Sequence, residues 1–388
     1  MAEMGYFFDD PKFTKAEYEG RLSKVRAEMK AKDIDVLILF SAKNFFYLTG
    51  YESGATYYQA MIITPSEIIP FIREMEKVIG NTTMTTGADK IVMWQDHWNP
   101  TQALADTLKQ KGLFDLRIGV EKNAPNFSVQ DYEALCKALG RTPLDGSRCV
   151  DSARLIKTPQ EIAYIRKAAK MTSVGMAAAM EAVAEGRTDN DLVADLEAAM
   201  LKAGSESFRN PIVSAGPYSG VAHAMHHRYV LKRGDAILFE FSGCWCAYPG
   251  PQMRSAAVRE ASGQIKKMAD ACIGGLEAAI NTIKPGVTSG KVDEACRLVI
   301  ENAGFEPWFR KRTGYGVGVF KPSWSEGEVI DLKRDDPREL QAGMVFHMPP
   351  ALRDPMKCGV GFSETVLVTE HGCEVLTDFP RKLFISKR

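Results

Sequence analysis

Two stretches of this chain, one hundred residues apart, carry the same pattern and constrain the fold more than any other feature. Gly186 to Gly204 reads GRTDNDLVADLEAAMLKAG, and Gly286 to Gly304 reads GVTSGKVDEACRLVIENAG. Gly186 matches Gly286, Thr188 matches Thr288, and both copies end in Ala-Gly. Each copy reads as a capped amphipathic helix closed by a C-terminal glycine. A long helical stretch precedes each copy and β structure follows it. The strand turns recur as well: Lys232-Arg233-Gly234-Asp235 leads toward Glu240, and Gln341-Ala342-Gly343 leads into Val345-Phe346-His347. Two similar halves of helix, helix and sheet predict a pseudo-twofold α+β domain with a site between the halves.

Within the first half, Ala236 to Ser242 reads as a buried strand after the Gly234-Asp235 turn. Glu240 stands alone among Ile237, Leu238, Phe239 and Phe241. A buried, unpaired carboxylate costs several kcal/mol, so Glu240 requires a cationic partner, a hydrogen-bond network or a chemical role.

Upstream, strands and helices alternate over the first 150 residues or so, which predicts an α/β domain. A capping box at Thr14–Glu17 opens a helix with Tyr18, Leu22, Val25 and Met29 on one face. Strands are expected at 35–40, 60–64, 68–72, 90–94 and 117–121, with a further β run at 44–50 (NFFYLTG). Helices are expected at 101–111 and 129–139. The segment RTPLDGSRCVD, 141–151, has the composition of a connection, which sets the domains at 1–152 and 153–388. Thr158-Pro159-Gln160-Glu161 then starts a long helix reaching about Glu185.

Composition excludes several classes. The 49 basic and 49 acidic residues balance, with no large block of one sign, so neither nucleic acid nor an anionic membrane is expected as a partner. No apolar run approaches the roughly 18–20 residues that span a bilayer. The eight cysteines are scattered apart from Cys244 and Cys246, and the N-terminus lacks the pattern of an export signal, so reduced thiols in a cytoplasm are expected. No dinucleotide-binding string follows a strand, and no Gly-x-Ser-x-Gly elbow is present.

The repeat with an α/β lobe in front resembles the pita-bread fold of the creatinase, aminopeptidase P and prolidase superfamily, over nearly the whole chain. Metallopeptidases of that superfamily hold two metal ions with two aspartates, a histidine and two glutamates. The matching positions here are Glu240, Pro251, Tyr315 (in GYGVG), Pro349 (in FHMPP) and Ser363 (in FSET). Proline offers no side-chain donor, so the resemblance implies a metal-free branch with no cofactor. The chain is most similar to ectoine hydrolases, which open a cyclic amidinium carboxylate. The shared motifs are Glu240-Phe-Ser-Gly243, Tyr248, Arg254-Ser255, Gly314-Tyr315-Gly-Val-Gly318, Phe346-His347 and Ser363-Glu364-Thr365. Two departures are Pro249 and Pro251, which straddle the place of one proline, and KPSWSE at 321–326, where an aspartate is replaced.

The resemblance implies metal-independent hydrolysis of a C–N bond in a small amidinium or guanidinium carboxylate. Glu240 is expected as nucleophile or as base for water, and His223 as proton donor to the departing nitrogen. Tyr315, His347 and Glu364 are expected to line the site and grip the amidinium. Arg254 and Arg312 are expected to hold the substrate carboxylate, and Trp324, Tyr57 and Tyr58 to close the site by cation–π contact. A homodimer in which one subunit's N-terminal domain covers the other's site is also implied. The alternatives are a creatinase-like amidinohydrolase, a lyase acting on dimethylsulfoniopropionate, a Xaa-Pro dipeptidase-like enzyme and a non-catalytic binding protein.

Overall fold

The computed structural model describes residues 12–53, 57–206, 211–319, 323–326 and 329–388. The chain divides into two compact units, Met1–Arg154 and Leu155–Arg388.

The first unit is built on a six-stranded mixed sheet in the order Val92–Trp94, Ile68–Arg73, Ala60–Ile63, Val36–Leu39, Ile118–Val120 and Leu144–Asp145. Its core gathers Val36, Ile38, Phe40, Ile62, Phe71, Leu104 and Leu135. The run NFFYLTG, expected as β, is instead part of the helix Ala42–Thr49. Its six residues from Asn44 to Thr49 are all buried, so burial on every side erased the periodicity that would have marked a helix. The helix starts where the buried carboxylate of Glu121 accepts from Phe40 N–H at 2.8 Å and Ser41 N–H at 2.9 Å. It ends at Gly50, whose φ of 84° a side chain would resist.

The second unit carries the repeat. In the first half, the helix Pro159–Ala182 precedes Asp189–Lys202; in the second, Gly263–Thr282 precedes Ser289–Asn302. The copies match bond for bond. Gly186 N–H donates to Leu231 O and Gly286 N–H to Leu340 O, both at 2.9 Å. Leu231 N–H donates to Arg187 O and Leu340 N–H to Val287 O, both at 2.8 Å. Gly186 and Gly286 have φ of 84° and 81°, and Gly204 and Gly304 have φ of 90° and 82°, which accounts for glycine at these four places. Thr188 and Thr288 cap the helices that follow.

Two two-stranded ribbons, Cys244–Trp245 with Tyr248–Pro249 and Ala351–Asp354 with Cys358–Gly361, accompany two larger sheets. One has the order Phe384–Ile385, Gln252–Ala257, Ala236–Phe241, Ile212–Ala215; the other has Asp331–Leu332, Gly314–Gly316, Val345–Met348, Glu364–Val368, Cys373–Val375. Each helix pair buries an apolar face together with residues of these strands. Met176, Leu196, Ile237, Phe239 and Phe241 share one core; Leu276, Ile300, Phe346, Val366 and Val368 share another. Among the described residues no helix is long and apolar enough to cross a membrane.

Candidate active site

Side chains alternate along a strand, and that alternation aims Glu240. Ile237, Phe239 and Phe241 enter the core with the first helix pair. Leu238 lies in a small cluster with Ile212, Met253 and Ala351, and Glu240 shares its parity. Glu240 is 6% exposed and pairs in register with Met253 on one side and Ile212 on the other. It opens onto a cavity of about 570 Å3 in the second unit.

The opposite wall comes from the second half. After the helix Ser289–Asn302 the chain returns through Trp308-Phe309-Arg310-Lys311-Arg312. Arg297 fixes this segment by donating to Phe309 O at 3.3 Å and to Lys311 O at 2.9 Å, while its own charge is met by Asp293. Asp293 also accepts from Thr313 N–H at 2.9 Å and from its hydroxyl at 2.7 Å. Trp308, Arg310, Lys311 and Arg312 thereby line the cavity, and Tyr315 and Trp324 add aromatic surface.

Tyr315 begins a buried polar chain. The Trp324 indole N–H donates to its hydroxyl at 2.9 Å, and that hydroxyl lies 2.9 Å from His347 Nδ1. His347 Nε2 lies 2.6 Å from Ser363 Oγ, which accepts from Met253 N–H at 2.5 Å. Burial, reinforced by the Lys311 charge, holds the His347 pKa well below the ordinary imidazole range. The ring is therefore neutral and passes a hydrogen bond in one direction between Ser363 and Tyr315.

Two groups that the sequence reading missed stand near Glu240. Lys311 and Arg353 both feel its charge, yet neither forms an ion pair within 4 Å of it. Burial lowers the Lys311 pKa to about 8; the like charges of Arg353 and Arg312 act the same way, and Glu240 opposes them. Burial also lowers Arg353, with Glu240 opposing. Arg353 is anchored through one nitrogen, Nη1, which donates to Ser219 O at 2.8 Å and Val221 O at 3.3 Å. The available signals were a run of three cations, Arg310 to Arg312, one residue ahead of Gly-Tyr-Gly, and a lone arginine in the strand Ala351–Asp354.

Of the expected site residues, Glu240, His223, Tyr315, Arg312 and Trp324 line the cavity. His223 sits on an exposed stretch with φ of 57°. Arg312 meets Asp331 at 3.2 Å and lies 4.8 Å from the Tyr315 ring centre. His347 is behind Tyr315, fully buried. Arg254 and Glu364 require correction. Arg254 is fully buried and spends its donors on the carbonyls of Met253, Ser363, Phe379 and Pro380 and on Glu364, leaving none for a substrate. Glu364 is likewise consumed by Arg254, Arg381, Gln252 and Thr377. Tyr58 packs against the first unit's core, its ring 5.5 Å from Phe40 and 6.5 Å from Phe127. Tyr57 is half exposed and lies over Arg73 at 4.1 Å.

The donor set does not fit a pair of metal ions. Positions 240, 251, 315, 349 and 363 supply one carboxylate, one phenol, one hydroxyl and two prolines. Among the described residues no group of three His, Cys, Asp or Glu side chains is placed to hold a metal. Cys244 and Cys246 instead cluster on Glu206, which accepts from Cys246 N–H and Ala247 N–H at 2.6 and 3.0 Å.

Comparison with known proteins places this geometry. Residues 163–370 match metallopeptidase family M24, and residues 21–156 match the creatinase/prolidase N-terminal domain. An ectoine hydrolase of Halomonas elongata is 28% identical, covering 96% of this chain and 98% of its own. An uncharacterized hydrolase/peptidase of Sinorhizobium fredii is 31% identical, covering 96% and 97%. The crystal structure of the dipeptidase PepE from Mycobacterium ulcerans superposes with a TM-score of 0.84 at 23% identity, over 96% of this chain and 99% of that one.

Proposed function

The chain belongs to metallopeptidase family M24, as a two-domain pita-bread protein with a creatinase-type N-terminal domain, and from that premise we propose that it is a metal-independent hydrolase of a C–N bond in a small amidinium carboxylate, ectoine first among the candidates. The observation that carries this reading is the exchange at the ligand positions. Glu240 stays at the cavity, while Pro251 and Pro349 take two places where side-chain oxygens would be needed. A single carboxylate cannot hold a metal pair, but it can remove a proton from water or attack an electrophilic carbon directly.

In the water route, Glu240 takes the proton as the water oxygen bonds to the amidinium carbon. The C–N bond then breaks as His223, on the cavity wall, gives a proton to the leaving nitrogen. The bound cation and Glu240 attract each other, which aligns the reacting atoms before reaction. Trp324 and Tyr315 line the same space and supply aromatic surface for a cation. The reading includes a homodimer in which the N-terminal domain of one subunit covers the other's cavity, which light scattering on the purified protein tests.

Incubation with ectoine, hydroxyectoine, creatine and an Xaa-Pro dipeptide, followed by mass spectrometry, is the decisive experiment. Ring opening of ectoine, unaffected by a chelator and without stoichiometric manganese, zinc or cobalt in the protein, is the expected result. Glu240→Gln is expected to fold normally and to lose turnover by a factor of about 100 or more. Full turnover in that variant, or dipeptide cleavage that requires added metal, refutes the proposal.

A further inference from the structure

The cavity is short of negative charge. Among the described lining residues Glu240 is the only carboxylate, facing Arg310, Lys311, Arg312 and Arg353. Asp331 offsets Arg312 from outside the lining, so three cations remain against one anion. The same segment, Arg310 to Arg312, also walls a neighbouring cavity of about 480 Å3 shared with Lys333, Arg334, Glu306 and the Asp293-paired Arg297. Like charges collected in partly buried space attract anions and raise their local concentration.

Two of these cations have donors to spare. No hydrogen bond or ion pair to a described residue holds the Lys311 ammonium. Arg353 uses Nη1 on the Ser219 and Val221 carbonyls, which leaves its Nε and Nη2 edge without a protein partner among the described residues. That edge is the planar fork that matches a carboxylate in two-point fashion. Lys311 and Arg353 are close enough for each to feel Glu240, and Arg353 repels the Lys311 proton. Two adjacent cations kept apart from the one available carboxylate leave a place for an anion brought by the ligand.

We propose that Lys311 and Arg353 form the seat for the substrate's carboxylate, making an acidic group obligatory in whatever this cavity accepts. The proposal rests on the reading above only in taking this cavity as the site of chemistry. It replaces the assignment made from motifs, in which Arg254 and Arg312 held the carboxylate. It also sets the orientation: the acidic end of the substrate lies on Lys311 and Arg353, and the electrophilic carbon faces Glu240.

The test uses the full chain with malonate as an anionic probe and acetamidinium as a cationic one, by titration calorimetry and thermal shift. Malonate is expected to bind and stabilise the wild type, and acetamidinium to do neither at the same concentration. Lys311→Met should weaken malonate by about tenfold or more, Lys311→Arg should restore most of the loss, and Arg353→Lys should weaken it through loss of the fork. Above pH 8 the wild type should lose malonate affinity as the ammonium deprotonates, whereas Lys311→Arg should keep it. The charged and titratable groups around Lys311 are Glu240, Arg353, Arg312, Cys272, Cys296 and His347, and among them Lys311 has its pKa near 8. Circular dichroism confirms that each variant is folded. No malonate binding by the wild type, equal binding by Lys311→Met, or tighter binding of acetamidinium than malonate overturns the proposal. Malonate binding does not need Glu240, so Glu240→Gln should keep or strengthen it; turnover surviving in that variant would sink the catalytic reading and leave the carboxylate seat standing.

Discussion

Replacing Glu364 by glutamine separates a structural carboxylate from a substrate ligand. Its Oε1 accepts from Arg254 Nη2 at 2.7 Å and from Arg381 Nε at 3.0 Å. Its Oε2 accepts from Gln252 Nε2 at 3.0 Å and from the Thr377 hydroxyl. Arg254 is fully buried, and Glu364 is its counter-charge, itself 2% exposed. Glutamine keeps the shape but removes the charge, and its amide nitrogen must face at least one group that donates. Breaking a buried pair by removing one partner costs about 3–5 kcal/mol, because the remaining charge stays out of water. Arg381 is only partly buried and can turn toward solvent; Arg254 cannot, since four carbonyls hold it. In a unit the size of Leu155–Arg388, roughly 2–4 °C of Tm per kcal/mol gives a drop of about 6–20 °C. Calorimetry reads the drop, and steady-state kinetics well below the transition reads the site. The surviving enzyme should keep kcat/KM within about threefold, since a group away from the substrate adds nothing to transition-state binding. An unchanged Tm with a KM raised by two orders of magnitude would refute the argument and return Glu364 to the substrate.

Two further substitutions probe the polar chain and the anchor of Arg353. The folded protein refuses His347 a proton that the unfolded chain accepts below a pH of about 6.5, so its contribution is intact above that value and lost as pH falls below it. In His347→Gln the acid limb of the stability profile should flatten between pH 7 and 5 in denaturant titrations; an unaltered limb would show that other groups set it. At Gly359 a Cβ would stand 2.0 Å from the Ser219 carbonyl oxygen, the same oxygen that accepts from Arg353. Gly359→Ala should cost about 1–3 kcal/mol by overpacking and should also weaken malonate, and a variant as stable as wild type by thermal melt contradicts the geometry.

How much of this could be read from the sequence depends on whether a feature is written in local backbone chemistry or in contacts between distant parts of the chain. The repeat was legible because glycines with φ near 80–90° and threonine caps are dictated where they stand, and both copies then close the same hydrogen bonds. Glu240 was legible because a carboxylate in an apolar strand needs a reason. Its neighbours were less so: Lys311 and Arg353 lie on other elements, and neither the cation run at 310–312 nor the lone strand arginine says by itself which cavity it enters. Arg254 and Glu364 show the opposite failure. Both stand inside the matched motifs, but a motif fixes position and not orientation, and one step along the chain turns a side chain to the other face. Ser363 therefore meets His347, while Glu364 turns to Arg254.

That difference changes where selectivity resides. With Glu364 spent inside the fold, a cationic group on the substrate has Glu240 and the rings of Tyr315, Trp308 and Trp324 to meet, and no second acid among the described lining residues. Each of those contacts would hold a plain organic cation about as well as an amidinium acid. Four lining cations would repel such ligands and favour one that brings its own negative charge. Discrimination among small C–N compounds then comes mainly from the acidic end. In the proposed reaction the lining cations take the acidic end of the substrate, and Glu240, the one carboxylate among the described lining residues, is left to meet the positive carbon.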